Sequence, residues 1–131
     1  MNLFKPRPSR SGFSGAQRSL YQRIGHCVEA WLQEKGYLRP LVTIEEIAED
    51  IGVEPDQLSA YLHRKNGKNV LSWRKCLRIE EAKRLLLDDP DLSIAAIARR
   101  IGIEDKSNFK RQFTEMVGVS PQQWRVMRRR C

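Results

Sequence analysis

At 131 residues, of which 40% are hydrophobic and 31% charged, the chain is long enough to fold as one domain, or as two very small ones that share a core. Its formal net charge of +8 favours a polyanionic partner, either nucleic acid or an acidic membrane surface. No apolar run approaches the ~20 residues that a membrane span requires, and the basic first residues are not followed by the apolar core of a signal peptide.

The first 15 residues are rich in Pro, Ser, Gly and Arg, a composition typical of a flexible basic segment. Such a segment is a linker to an upstream domain, an arm along a nucleic-acid backbone, or a tail without a function of its own. A helix is predicted from about Ala16 to Lys35, with Gly36 at its end. Its apolar stripe consists of Leu20, Ile24, Val28, Trp31 and Leu32. Tyr21 and Trp31 either pack on the following unit or form part of an interface.

Local signals predict six more helices, and no segment alternates with the period of a β-strand. The second helix starts with the capping box Thr43-x-x-Glu46 and ends at Gly52, and the fifth starts at Ser93 and ends at Gly102. The others run from Pro55 to about Lys65, from about Val70 to Leu87, from about Lys106 to Met116, and from Pro121 through Trp124. The expected buried side of the long fourth helix comprises Leu71, Trp73, Leu77, Ala82, Leu85 and Leu86.

The strongest signal in the sequence is an internal repeat. Residues 43–54 match residues 93–104 at an offset of 50, and later positions match at an offset of 51. Matched pairs include Thr43 with Ser93, Ala48 with Ala98, Gly52 with Gly102, Leu58 with Phe109 and Trp73 with Trp124. One supersecondary unit is therefore present twice, at about residues 43–68 and 93–118. Because the two tryptophans are matched by the repeat, we expect them in the core rather than as base-stacking platforms.

Each unit carries the steric marks of a helix-turn-helix. A small residue, Ala48 or Ala98, lies where the second helix crosses the first, and the glycine four residues later allows a sharp turn with positive φ. An apolar residue, Val53 or Ile103, then fills the corner. A generic helical hairpin is the alternative, and two copies with the same marks weaken it. The predicted fold is all-α, with two helix-turn-helix subdomains joined by a long linker helix and preceded by an extra N-terminal helix and connection at residues 16–40.

The linker helix, at about residues 70–87, favours DNA as the partner. A helix of this length spans ~27 Å at ~1.5 Å per residue. Successive major-groove faces of B-DNA lie ~34 Å apart. A rigid helix of that length presents two recognition helices to adjacent grooves on one side of the duplex. One chain would then contact two major-groove segments, as a helix-turn-helix dimer usually does.

The same stretches resemble the DNA-binding domain of the AraC/XylS transcription regulators. The resemblance covers about Leu41 to Arg128, leaves residues 1–40 outside, and rests on TIEEIAEDIGVEPDQLSAYL, LSWRKCLRIEEAKRLLLD, LSIAAIARRIGIEDKSNFKRQF and GVSPQQWR. It implies a monomeric double helix-turn-helix domain at residues 41–131 that reads two major-groove segments of double-stranded DNA. It also implies a bacterial, cytoplasmic, nucleoid-associated regulator, with an upstream sensing or dimerisation domain outside this chain and RNA polymerase as a candidate partner.

Residues that face away from the core near the N-terminal half of a recognition helix reach base edges, and the candidate DNA-binding residues are taken from the outward face of each such helix. They are Gln57, Ser59, His63 and Arg64 in the first unit and Lys106, Ser107, Asn108, Lys110 and Arg111 in the second. Arg111 suits guanine, and Asn108 or Gln57 suits adenine, in bidentate pairs. His63 and Arg64 are expected at phosphates. The alternative for each residue is an ordinary solvated side chain, and Ala60, where the family often has a basic residue, weakens base reading by the first unit.

Charge separates the two units. Residues 43–68 have six acidic and three basic side chains, residues 93–118 have five basic and three acidic ones, and residues 119–131 add four arginines. Because phosphate neutralisation supplies most non-specific affinity, we expect the second unit to anchor the chain on DNA and the first to tune binding. Arg99 and Arg100 on the supporting helix, like the terminal arginine run, either contact phosphates or solvate an outer surface.

Other functions find little support in the sequence. It lacks nucleophile-elbow, zinc-protease and phosphate-loop motifs, so we assign no catalytic residues and do not expect an enzyme. Cys27, Cys76 and Cys131 lie far apart without a C-x-x-C pair, so we expect no metal site, cofactor or disulfide framework, and a reducing compartment. We also expect no membrane contact by this segment. The remaining alternative is a helix-turn-helix protein-interaction module that has lost strong DNA binding.

Overall fold

The computed structural model describes residues 14–129, which form seven α-helices and one short 3-10 helix. The α-helices are α1 (Gly15–Gln33), α2 (Ile44–Ile51), α3 (Pro55–Asn66), α4 (Val70–Asp88), α5 (Ile94–Arg100), α6 (Lys106–Val117) and α7 (Pro121–Arg129), and the 3-10 helix is Gly36–Leu38. The described residues contain no β-strand, which confirms the all-α prediction. Most of the predicted flexible segment (residues 1–13) and the last two residues lie outside the described range.

The two ends of α1 differ from the prediction. The helix begins at Gly15, one residue early, because Ser14 and Gln17 form a reciprocal capping box. At the other end the left-handed residue is Lys35, with a φ of 58°, rather than Gly36. Gly36 is buried, and a Cβ there would overlap the indole of Trp31. This glycine is therefore required by close packing and not by its φ.

The first core is built by α1, α2, α3 and the start of α4. Its buried residues are Ile24, Val28, Trp31, Ile47, Ala48, Ile51, Leu58, Tyr61, Leu62, Val70 and Trp73. The rings of Trp31 and Trp73 stack with centroids 5.5 Å apart, and Tyr21 lies against Tyr61 at 4.7 Å. Tyr21 and Trp31 thus pack on the first helix-turn-helix unit, and α1 is part of its core.

The second core is built by the end of α4 together with α5, α6 and α7. Its buried residues are Ile79, Ala82, Leu85, Leu86, Ile97, Ala98, Ile101, Ile103, Phe109, Phe113 and Trp124. Phe113 makes edge-to-face contacts with Phe109 and Trp124, at centroid distances of 5.8 and 6.2 Å. The burial of both repeat-matched tryptophans confirms their assignment to the core. The last helix continues to Arg129, beyond its predicted end at Trp124, and the buried Arg125 anchors it.

The linker helix α4 changes its buried side along its length, and this makes one prediction wrong. Leu71 is 41% exposed, although it lies on nearly the same helix face as the fully buried Ala82, three turns further on. At the level of Leu71 that face borders an open groove, because the second core begins only near Ile79. Leu77, also predicted inward, is partly buried against the first core. A single apolar stripe therefore does not describe a helix shared by two cores.

Candidate nucleic-acid interface

The two units share one turn geometry. The turn glycine has a φ of 97° in the first unit and 86° in the second. Directly after it, Val53 donates to the carbonyl of Ala48 at 3.0 Å, and Ile103 donates to that of Ala98 at 2.9 Å. The helix-turn-helix marks of the sequence are thus present in the backbone of both units, and each turn leads into an exposed second helix, α3 or α6.

Four of the five candidate residues on α6 are exposed. The helix begins after Asp105, whose carboxylate accepts a 3.0 Å hydrogen bond from the backbone N–H of Ser107. Phe109 and Phe113 hold the opposite side of the helix in the core. The exposed candidates are Lys106, Ser107, Lys110 and Arg111. This face therefore presents three cations and a hydroxyl to solvent at the start of a helix.

Asn108 is the exception on α6, because it is half-buried and already has partners. Its Oδ1 accepts hydrogen bonds from the guanidinium of Arg111 and, at 3.2 Å, from Gln112. Its side chain also borders the groove between α6 and α4. Arg111 lies 3.6 Å from Glu115 as well. Asn108 and Arg111 are therefore held by contacts within α6 in this structure.

The candidate residues on α3 divide into two groups. Gln57, which is half-buried, and the exposed Arg64 border a groove between α3 and α1, together with Leu20 and Ala60. His63 is exposed and Ser59 is half-buried. The structure therefore brings Gln57 and Arg64 next to α1, an arrangement that sequence reasoning did not anticipate because α1 lay outside the recognised repeat.

The repeat extends to the site itself. At the offset of 51, Gln57 corresponds to Asn108, and each borders the helix that precedes its own unit, α1 or α4. Ser59 corresponds to Lys110, and Ala60 corresponds to Arg111. The scaffold is thus equivalent in the two units, while basic side chains are more numerous in the second, five against three.

Two acidic residues of the first unit, Glu46 and Asp50, form hydrogen bonds that stabilise its structure. The carboxylate of Glu46 accepts hydrogen bonds from the backbone of Val42 at 2.6 Å and Thr43 at 3.1 Å, and these bonds hold the pKa of Glu46 below its usual value. Asp50 accepts hydrogen bonds from Trp31 and Arg39. Two of the six acidic side chains in this unit therefore stabilise the fold, which accounts for part of the unit's negative charge.

Two lysines near the interface were missed by sequence reasoning. Lys68 and Lys75 are exposed and border an open groove that also includes Met116 of α6. Lys68 lies just before α4 and Lys75 in its second turn, between the two recognition helices in sequence, where only a linker helix was predicted. No local signal distinguishes them from other surface lysines, because their place depends on how α6 folds back toward α4.

Neither a metal site nor a membrane helix emerges from the described residues. Residues 14–129 contain no group of three or more histidine, cysteine or acidic side chains able to hold a metal ion. No helix in the same range is long and apolar enough to cross a bilayer. Cys27 and Cys76 are free and partly buried.

Two equivalent helix-turn-helix units, each with a polar exposed second helix on a strongly basic chain, define a double helix-turn-helix nucleic-acid-binding domain. A helix-turn-helix domain model matches residues 47–127, which is more than half of the chain. The chain belongs to the AraC/XylS family of transcription regulators, as a DNA-binding domain and not an enzyme.

Comparisons with known proteins agree with this membership. The chain is 37% identical over 83 residues to the arabinose operon regulatory protein of Escherichia coli, which covers 63% of this chain and 28% of that protein. It is 30% identical over 112 residues to the melibiose operon regulatory protein of the same species, covering 86% of this chain and 34% of that protein. The chain thus spans about a third or less of the length of these relatives.

Solved structures show the same fold. The C-terminal domain of AraT, a response regulator from Geobacillus stearothermophilus, is 30% identical with a TM-score of 0.64, covering 89% of this chain and 88% of that one. The DNA-binding domain of AdpA, solved with a target DNA, is 23% identical with a TM-score of 0.68, covering 81% and 92%. Coverage of 89% cannot be reached within residues 41–131, so the likeness includes residues before Leu41, outside the stretch on which the sequence resemblance rested.

Proposed function

We propose that this domain reads double-stranded DNA with two recognition helices, α3 and α6, placed in adjacent major-groove segments. The observation that supports the proposal most directly is the structural repeat, in which the same turn leads into an equivalent exposed helix twice. The 19 residues of α4 between the units give ~28 Å at ~1.5 Å per residue. That length is close to the ~34 Å between successive major-groove faces.

Within this proposal, the second unit anchors the domain. Arg111 donates two hydrogen bonds to guanine and Asn108 pairs with adenine, once both have left their contacts within α6. Lys106 and Lys110 neutralise phosphates, and Ser107 contacts a base edge or the backbone. The exposure of the basic side chains on α6 supports a larger contribution to affinity from the second unit than from the first.

The first unit tunes the binding. Gln57 pairs with adenine, Ser59 contacts a base edge, and His63 and Arg64 contact phosphates. Ala60 offers no hydrogen bond where the second unit has Arg111. Lys68, just before α4, and Lys75, in its second turn, add phosphate contacts between the two grooves, and the exposure of both side chains supports this role.

The chain is proposed to work as the DNA-reading part of a larger regulator in the bacterial cytoplasm, at the nucleoid. The matched stretches make up only 28% and 34% of the two operon regulators, which leaves room for a sensing or dimerisation domain before the DNA-binding one. RNA polymerase is a further proposed partner, since a regulator bound next to a promoter acts through it.

Selection of binding sites from a randomised duplex library, at near-physiological salt, tests the proposal. A motif with two halves about one helical turn apart is the expected result. A single enriched half would mean that one unit does the reading. Salt-sensitive binding without enrichment would mean that specificity requires another domain. No binding even at low salt would favour the protein-interaction module instead.

A further inference from the structure

One arginine lies between the two cores of the domain. Arg78 is in the middle of α4, after Trp73 of the first core and next to Ile79 of the second. Its side chain is only 8% exposed. A buried guanidinium needs acceptors for its hydrogen bonds, since desolvation without them is costly.

Within residues 14–129, Arg78 donates to three backbone carbonyls that belong to two different parts of the domain. Its Nε donates to Tyr37 at 2.6 Å and its Nη2 to Arg39 at 2.7 Å, both in the connection between α1 and α2. Its Nη1 reaches the carbonyl of Gly102, in the turn of the second unit, at 3.4 Å. Burial and then nearby Arg74 lower the pKa of Arg78 to about 10, so the group stays protonated at neutral pH.

The connection contacted by Arg78, which we name the bridging segment (residues 35–41), touches both units. Tyr37 and Leu41 pack against the first core, whereas Leu38 packs against the second. The carbonyl of Leu38 also lies next to the turn, only 2.9 Å from where a Cβ on Gly102 would be.

Three side-chain contacts join the bridging segment to α4 at different positions along the helix. Lys35 forms a 3.1 Å ion pair with Glu81, Arg78 binds the middle of the segment, and Arg74 donates to the carbonyl of Leu41. The two units are therefore joined both by α4 and by the bridging segment that packs along it. An isolated helix can bend at modest free-energy cost. A second segment bound along the helix at several positions restricts this bending.

We propose that Arg78 is a positioning residue, which uses the bridging segment to fix the spacing and orientation of α3 relative to α6. The DNA consequence rests on the proposed function, because it assumes that both helices read the same duplex. A domain braced in this way accepts one separation of its two half-sites. A domain without the brace accepts several and binds each less tightly.

The first test measures the brace without DNA. Spin labels at positions 59 and 110, in a background without the native cysteines, report the distance between α3 and α6 by pulsed electron resonance. Arg78→Met is expected to broaden the distance distribution at least twofold. Arg78→Lys keeps the charge but loses the planar guanidinium and its several donors, so the width of its distance distribution is expected to lie between those of the parent and Arg78→Met. Lys83→Met, at a half-buried position of α4 where Lys83 forms a 3.0 Å ion pair with Glu80, is the control and should match the parent.

The second test measures affinity for duplexes whose half-sites are moved one or two base pairs closer or further apart. The parent is expected to lose at least tenfold on each one-base-pair change, and Arg78→Met less than threefold, with unchanged affinity for a single half-site. Leu38→Ala leaves Arg78 in place but weakens the packing of the bridging segment on the second core, so it should also make affinity less dependent on half-site spacing. This variant replaces Arg78→Met in the test if Arg78→Met does not fold.

The two measurements separate the possible failures. Folded Arg78→Met and Leu38→Ala variants with the parent's distance distribution would overturn the inference, whatever happens on DNA. A parent that binds one half-site as tightly as two would overturn the proposed double reading and the DNA consequence with it. Broadening in the first test would still establish Arg78 as the brace.

Discussion

Trp31 and Asp50 join α1 to the helix-turn-helix through one short hydrogen bond. The indole Nε1 donates to Oδ2 of Asp50 at 2.7 Å, and Nη1 of Arg39 donates to the same oxygen at 2.6 Å. Burial by itself raises the pKa of Asp50, but these two donors outweigh it, so the pKa lies below its usual value. The charged carboxylate therefore stabilises the attachment of α1 to α2.

Replacing this carboxylate by an amide tests its contribution. Asp50→Asn is expected to lower the free energy of unfolding by about 1–2 kcal/mol at pH 7. Because the folded pKa of Asp50 is depressed, its stabilisation is full above the unfolded value of ~3.9 and is lost as the pH falls through the folded one. Urea unfolding at several pH values should show the difference between parent and variant shrinking below about pH 4.

The control for this change is Glu49→Gln, one residue earlier on the exposed side of α2. It should alter the unfolding free energy by no more than about 0.5 kcal/mol. A difference between the parent and Asp50→Asn that stays constant down to about pH 2 would contradict the assigned role of the charge.

The two turn glycines form a matched pair for a second prediction. Gly52 and Gly102 both have positive φ, so alanine strains the backbone similarly at each, by about 1 kcal/mol. A Cβ at Gly52 meets no atom within 4 Å, but one at Gly102 would lie 2.9 Å from the guanidinium of Arg78 and from the carbonyl of Leu38. Gly102→Ala should therefore cost about 1–3 kcal/mol more than Gly52→Ala in urea unfolding. Equal costs would mean that this contact can relax without loss.

Much of the fold could be predicted because its determinants are local or repeated. Capping boxes, turn glycines and apolar spacing set each helix within a few residues, and the repeat indicated which helices are equivalent. The errors arose where a residue serves two neighbours. Leu71 lies on the face of α4 that is buried only further along the helix, in the second core. At the end of α1, Lys35 has the left-handed conformation, and Gly36 packs where a Cβ would overlap Trp31.

The candidate site was only partly accessible to sequence reasoning. Helical phase predicts which residues of α6 face outward, and four of its five candidates are exposed. Phase does not show what lies beside a helix, so it missed the groove with α1 at Gln57 and the groove with α4 at Asn108. The buried charge of Arg78 was missed for the same reason, since its partners are backbone carbonyls distant in sequence.

The third prediction ranks the two recognition helices. Arg111→Ala is expected to weaken binding to the selected operator by about 1–3 kcal/mol, which is roughly 5- to 150-fold, and to relax base preference at one position. His63→Ala removes at most a phosphate contact, and its effect should be smaller. Fluorescence anisotropy with labelled operator measures both losses, and Lys83→Ala in α4, away from both recognition helices in sequence, is the control. A larger loss from His63→Ala would reverse the assignment of the second unit as the anchor.

The fourth prediction concerns salt. If Lys110 neutralises one phosphate, Lys110→Ala should reduce the slope of log K against log salt by about 0.9. Its affinity loss should be nearly equal for operator and for unrelated DNA, because a phosphate contact carries no sequence information. The measurement is a titration series in potassium chloride on both duplexes. An unchanged slope with lost specificity would instead make Lys110 a base-reading residue.

The fifth prediction follows from a tryptophan–arginine pair that occurs in both units. Arg74, after Trp73, donates to the carbonyl of Leu41, which precedes the first unit. At the equivalent position, Arg125 is buried and donates at 2.9 Å to the carbonyl of Leu86, in α4, and at 2.9 Å to that of Leu92, just before α5. Each arginine thus satisfies backbone groups at the entry to its own unit.

Arg125→Met keeps much of the apolar volume but leaves these carbonyls without their donor. The expected cost is about 2–4 kcal/mol, because the bonds are charge-assisted and the groups stay buried. Hydrogen exchange should accelerate in α5, α7 and the end of α4, while α1 and α3 keep their protection, since the two cores are separate. Arg128→Met, which removes only an exposed guanidinium 5.2 Å from the ring of Trp124, should cost less than ~1 kcal/mol. Faster exchange spread evenly over both units would show that the cores unfold as one, and that the brace through Arg78 couples their stability as well as their geometry.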